Sequence, residues 1–236
     1  MTNDHKSQKQ TPALVVKLPG IRLVGGAAVF ALLVFVALVV ALIIYLKPTF
    51  SWSPLWVSLA LWILFIAYWS AAAKNSAPAK SAESLASRQL HQKLMNVALL
   101  LLFIPVPGLR LRYLPLPPSI VIIGIALHVG SFLPAVWARR YLGRNWSGAI
   151  TLKIDHQLIR TGPYKFVRHP IYSAMLGMFV GTALVSGELH ALLGVIVIAF
   201  AYWRKIRLEE ERLGEGFGAD YDAYRRKSWA LIPGLL

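Results

Sequence analysis

Two short strings hold most of the side chains of this chain that could do chemistry. The first runs from His156-Gln157-Leu158-Ile159 through Gly162-Pro163-Tyr164 to Arg168-His169-Pro170-Ile171-Tyr172. Gly-Pro marks a turn, Pro170 pushes His169 toward an extended backbone, and a proline suits the first position of a helix. Arg168 and His169 would then stand beside a helix N-terminus, whose free N–H groups favour a carboxylate or a phosphate. The plain alternative is a snorkelling Arg168 and a solvated His169. The second string is Lys205 followed by Glu209-Glu210-Glu211, with Lys205 and Glu209 one turn apart on one helix face. The chain has only ten acidic residues, so three in a row at a basic boundary stand out. They can accept hydrogen bonds from an ammonium or from hydroxyls, or simply match Arg204, Arg207 and Arg212 as a charged helix face.

Other chemistries are excluded or weak. With no cysteine, disulfides, thiolate metal sites and thiol nucleophiles are absent, and no metal site is expected. Gly214-Glu215-Gly216-Phe217-Gly218 resembles a nucleotide loop, but such a loop must follow a buried strand, and here a charged helical stretch precedes it. It reads as a helix break. The tail Phe217 to Arg226 has Tyr221 and Tyr224 at helical spacing and reads as a packing helix.

The elements that must position these strings are membrane helices. Hydrophobic residues make up 57% of the 236, and the mean hydropathy is +0.57, more apolar surface than a soluble core needs. The formal net charge of +15 sits in the gaps between apolar runs and not on one polar face, so nucleic acid is not the partner. Val24 to Leu46 is an apolar run of about 23 residues, enough for roughly 30 Å of hydrocarbon, and no signal-type cleavage site follows it. Trp52 to Ala73, Leu94 to Leu109 and Ser119 to Ala138 are further spans, the third shortened or kinked by Pro105 and Pro107. Ile171 to Trp203 is too long for one helix and is broken at Ser186-Gly187-Glu188, which makes a helical hairpin. The expected fold is an all-α integral membrane protein with about five to six membrane segments. Basic residues cluster before the first span, between the second and third, after the fourth and in the tail, which places both termini in the cytosol. The division is a cytosolic tail over 1–23, a four-span bundle over 24–138, and a region over 139–236 in which the hairpin brings the two polar strings together at the membrane surface.

The order His-x-Leu-Ile-x-x-Gly-Pro-Tyr, Arg-His-Pro-x-Tyr, hairpin, Glu-Glu, Phe-Gly-x-x-Tyr-x-x-Tyr resembles the isoprenylcysteine carboxyl methyltransferase family over about Leu142 to Pro233. The wider superfamily includes phospholipid N-methyltransferases and membrane sterol reductases. The resemblance implies a membrane methyltransferase that binds S-adenosyl-L-methionine without a Rossmann fold and takes a lipophilic small-molecule, prenylated or lipid-attached acceptor from the bilayer. The family's cofactor contacts fall on His156, Gln157, Leu158, Ile159, Tyr164, His169, Pro170, Ile171, Tyr172, Glu209 and Glu210. Lys205 stands where family members place a basic residue beside the acceptor carboxylate; it keeps the charge and loses the arginine fork. Arg168 or His169 would meet the carboxylate of the cofactor, and Glu209 or Glu210 its ammonium and ribose hydroxyls. The acceptor atom stays open between oxygen, nitrogen and sulfur; an amine would also have to lose a proton, to Glu209 or His156. Two rival readings remain on the same fold: an NADPH-dependent reductase, and a scaffold without turnover in which Arg168 and Glu209 lie far apart. Oligomeric state is open.

Overall fold

The structure, a computed structural model, describes residues 53–74, 79–153 and 157–234. The expected N-terminal tail, the expected span Val24 to Leu46 and the candidate His156 lie outside the described residues. Among the described residues six α-helices follow in order: α1 (Leu55–Ala73), α2 (Leu85–Phe103), α3 (Pro118–Leu142), α4 (Pro170–Ser186), α5 (Leu189–Phe217) and the short α6 (Ala219–Arg225). The expected helical fold is found, with one addition. Two short strands, β1 (Ala79–Ala82) and β2 (Thr151–Lys153), pair antiparallel.

Of the described helices, α1, α3 and α5 are long and apolar enough to cross a membrane, and α4 is an apolar helix of 17 residues. This is a membrane protein. The expected third span is displaced: α2 begins at Leu85, where Ser84 caps it by accepting from the Ser87 N–H at 3.2 Å, and ends at Phe103. Its first half is polar, which is why an apolar pattern alone misses its start. Pro105 could not continue it.

The long apolar stretch after His169 is a hairpin, as its break predicts. Pro170 opens α4 at its first position, and Gly187 closes it with φ +65°, a left-handed cap open to glycine at little cost. Helices α3 and α4 approach backbone to backbone. A Cβ on Gly181 would lie 2.6 Å from the Gly124 carbonyl oxygen, and one on Gly124 would lie 2.8 Å from that of Gly181. Small residues permit this contact between membrane helices, where lipid supplies no hydrophobic driving force. The same interface pairs its polar groups. The Trp62 indole N–H donates to Thr182 Oγ1 at 3.1 Å, Thr182 donates to the Met178 carbonyl at 2.9 Å, and His128 Nδ1 lies 3.2 Å from the same hydroxyl. Buried polar groups in such a place favour partners, and the Trp62 indole, the Thr182 hydroxyl and His128 Nδ1 have them, while His128 Nε2 has no hydrogen-bond partner among the described residues.

Candidate functional site

The hairpin and the tail build one side of the site. Arg168 is nearly buried and donates from Nε to Glu210 Oε1 at 2.7 Å. Its Nη1 donates to the backbone carbonyls of Arg225 and Ser228. The chain beside it is strapped to the tail in extended fashion. The N–H groups of Arg168 and His169 donate to the carbonyls of Trp229 and Ala230 at 2.8 and 3.0 Å, and Ser173 Oγ donates to the Leu231 carbonyl at 2.6 Å. An arginine fork suits this task because it offers five donors in fixed geometry. Arg168 thus joins the start of α4, the middle of α5 and the tail.

His169 lies between the two carboxylates, with Nε2 3.2 Å from Glu210 Oε1 and Nδ1 3.6 Å from Glu209 Oε2. Burial alone would lower its pKa, but hydrogen bonding to, and the charge of, Glu209 and Glu210 outweigh burial and raise it. The two carboxylates thus favour the protonated form of the imidazole between them. Tyr172 donates to Glu209 Oε1 at 2.6 Å and stacks on both His169 and Tyr202. Glu209 is thus aimed by two partners that come from the opposite helix of the hairpin. Lys205, one turn before it, is buried, donates to the Gly148 carbonyl at 2.8 Å and holds its ammonium 5.8 Å from the Tyr172 ring centre.

The other wall is the loop after α3. Arg139, buried, donates to the Gly143 and Ala72 carbonyls, tying the ends of α3 and α1, and places its guanidinium 4.4 Å from the Trp146 ring centre. Trp146 meets Trp69 of α1 edge to face at 5.6 Å. Farther along, Glu83 accepts from the Ile150 N–H at 3.0 Å and from Ser87 Oγ at 2.7 Å, while its own N–H donates to the Ile150 carbonyl. Arg204 of α5 donates to Ser87 Oγ at 2.9 Å. The segment before α2, read from sequence only as a basic gap, is a brace for this wall.

Between the walls lies a cavity of about 150 Å³. Of the residues singled out by sequence, Gln157, Leu158, Ile159, Tyr164, Arg168, His169, Ile171, Tyr172 and Glu209 line it. Pro170, Lys205 and Glu210 are adjacent but outside the lining. The hairpin has brought the two strings together, and the geometry that would mark a scaffold, Arg168 and Glu209 far apart, is not found. The sequence reading missed Trp146, Thr151, Arg212 and the tail tyrosines as wall residues. Tyr221 and Tyr224 are buried as a packing helix requires, yet both also line the cavity. Tyr224 donates to the Tyr164 carbonyl at 2.6 Å, and burial pushes its hydroxyl up to about 12. The glycine string after Glu211 is helix up to Phe217 and breaks only at Gly218, where φ is +52°.

The donor set can be compared with S-adenosyl-L-methionine, group by group. A carboxylate held by two aimed donors suits an ammonium or hydroxyls, Tyr164 and Tyr172 offer aromatic surface to a cation, and Leu158, Ile159 and Leu213 offer an apolar wall to a planar base. The Thr151 and Tyr221 hydroxyls are buried without a hydrogen-bond partner, and both line the cavity. Buried hydroxyls are seldom left so, and a polar ligand would satisfy them. The residues present fit the group.

Known proteins give the same direction. Residues 119–220 match the phospholipid methyltransferase family. The protein-S-isoprenylcysteine O-methyltransferase of Saccharomyces cerevisiae is 36% identical over 83 residues, 34% of each chain. The nickel-cobalt-cadmium resistance protein NccN of Alcaligenes xylosoxydans xylosoxydans is 33% identical over 97 residues, 40% of this chain and 45% of its own. The match thus spans about a third of the first relative and under half of the second. The solved structure of the eukaryotic intramembrane Ras methyltransferase ICMT (isoprenylcysteine carboxyl methyltransferase) superposes with a TM-score of 0.56 at 18% identity, over 85% of this chain and 74% of the other. The fold is shared, and the resemblance read from the motifs between Leu142 and Pro233 is borne out.

Proposed function

We propose that this chain is an S-adenosyl-L-methionine-dependent methyltransferase that acts on a lipophilic, membrane-delivered acceptor. One observation carries the reading: Glu209, aimed by Tyr172 and His169, opens into a cavity that the loop after α3 closes beside a membrane helix. The similarity to protein-S-isoprenylcysteine O-methyltransferases favours a prenylated or otherwise lipid-attached carboxylate as acceptor. The division into a tail over 1–23, a bundle over 24–138 and a methyltransferase region over 139–236, with both termini cytosolic, belongs to the same proposal. Labelling of single engineered cysteines at position 80 or 222 by an impermeant reagent from outside the cell would overturn the orientation.

When bound, the cofactor supplies an electrophilic methyl group on a sulfonium. The protein's part is placement. Transfer to a carboxylate is an in-line displacement that needs no acid or base, so holding the partners aligned and excluding water can provide much of the rate. Gln157, Leu158 and Ile159 line the cavity together with Tyr172 and Glu209. Trp146, in edge-to-face contact with Trp69, adds an aromatic face to the same cavity. Lys205 uses one of three donors on Gly148, which leaves two to steer an anionic acceptor from beneath Glu209. Arg168 belongs with Lys205 to the proposed catalytic groups, and it also holds the site's frame through Glu210 and the carbonyls of Arg225 and Ser228.

The test is transfer of a radiolabelled methyl group in membranes from expressing cells, followed by extraction. Label in a lipid or lipid-attached product that is lost with Glu209→Gln is the expected result. No labelled product, together with no binding of S-adenosylhomocysteine by the purified protein, would remove the reading.

A further inference from the structure

The cavity contains a pair that does not behave as a pair. Glu209 and Arg212 stand at i and i+3 on α5, a spacing at which opposite charges meet on a helix surface. Both line the cavity. Glu209 instead turns to Tyr172 and His169, and no described residue forms an ion pair or hydrogen bond with Arg212. The other cationic groups that line the cavity have protein partners. Arg168 is bound to Glu210 and two carbonyls, and His169 is held between two carboxylates. A second observation is independent of these charges. Tyr221 is 2% exposed, lines the same cavity, and its hydroxyl has no hydrogen-bond partner. Burial raises its pKa, so the group stays a neutral hydroxyl able to donate or accept.

We propose that Glu209 and Arg212 bracket an α-amino acid zwitterion, Glu209 accepting from its ammonium and Arg212 donating to its carboxylate, with the Tyr221 hydroxyl as a further contact to the same ligand. The proposal rests on the methyl-donor reading, and the zwitterion is the amino acid end of that cofactor. The backbone rise from Glu209 to Arg212 is about 4.5 Å. That leaves a gap in which adjacent positive and negative groups of one ligand can each meet the opposite charge. An ion pair closed between the two side chains would have shut this gap. The turning of Glu209 toward α4 is what keeps it open. The assignment also differs from the expectation that Arg168 or His169 meets the carboxylate: Arg168 already donates to Glu210 and to two carbonyls and His169 lies between two carboxylates, whereas Arg212 has no partner among the described residues.

Calorimetric titration of the full chain in detergent tests this, using S-adenosylhomocysteine and its decarboxylated analogue against wild type, Arg212→Ala and Arg212→Lys. Loss of a charge-assisted hydrogen bond should weaken S-adenosylhomocysteine by about 10- to 100-fold in Arg212→Ala, less in Arg212→Lys. The decarboxylated analogue should bind wild type and Arg212→Ala alike. Tyr221→Phe should lose several-fold in affinity at an unchanged melting temperature, by about the factor expected for one neutral hydrogen bond. Equal weakening of both analogues in Arg212→Ala, or no weakening of either, overturns the proposal while leaving the methyltransferase reading intact. Unchanged cofactor affinity in Arg212→Ala with a raised KM for a carboxylate acceptor would place the anion on the acceptor and overturn it too. Absence of binding to wild type overturns both readings together.

Discussion

The two walls of the cavity are held by different means. The wall made by the start of α4, the middle of α5 and the tail is tied by Arg168, which reaches Glu210 and two carbonyls, and by a run of backbone bonds to residues 229–231. The wall after α3 hangs on Glu83, a two-stranded ribbon and the contact of Arg139 with Trp146. One wall is a dense charged knot, and the other is a loop pinned at a few points. The difference teaches where rigidity is needed. Groups that aim Glu209 are fixed by several partners, while the loop after α3 is fixed at its edges.

The comparison breaks most visibly at Arg168. Arg168→Ala takes from the partly buried Glu210 its closest partner and strips two tail carbonyls of a donor, so it should cost about 3 kcal/mol. The measurement is thermal or denaturant unfolding in detergent. Arg168→Lys should recover part of this, since it keeps the charge and loses the fork. An unchanged melting temperature in Arg168→Ala would show that the knot is not what holds this wall. Glu83→Ala on the other wall should cost less, about 1–3 kcal/mol, because it strands one backbone donor. Its signature should be local: faster hydrogen exchange at Ile150 and weaker S-adenosylhomocysteine binding, with α4 and α5 unaffected. Global loss of protection would mean that the two walls are one cooperative unit.

The dense wall was legible in sequence and the pinned one was not, for reasons of range. Pro170 before an apolar run, Gly187 within it and the carboxylates one turn beyond Lys205 are local signals, and the hairpin that joins them follows from helix length. The bond from Glu83 to Ile150 spans 67 residues and has no local signal. The polar first half of α2 hid that helix's start, and aromatic spacing in the tail identifies Tyr221 and Tyr224 as packing residues without showing that their other edge faces a cavity. Arg168 shows a further limit. Sequence marks it as a charge beside a helix N-terminus, but whether that charge is spent or free depends on Glu210 and on the carbonyls of residues 225 and 228, which only the folded chain brings near.

The smallest effect expected is also the one that reports directly on how the dense wall is charged. His169 has a pKa raised above its ordinary value by Glu209 and Glu210. A group whose pKa is higher folded than unfolded binds its proton more tightly in the native state. Its contribution to stability is therefore full below the unfolded value of about 6.5 and fades as pH rises through the folded value. Between these limits one such group can change stability by no more than about 1.4 kcal/mol per pH unit. Unfolding of the wild type in detergent should become easier as pH is raised from about 6 through this window, relative to His169→Gln, which has no proton to lose there. His169→Gln will be less stable than wild type at low pH, and the two curves should approach each other as pH rises. Parallel curves would mean that the imidazole is neutral between the carboxylates, and then one of Glu209 and Glu210 must carry the proton that each short contact needs.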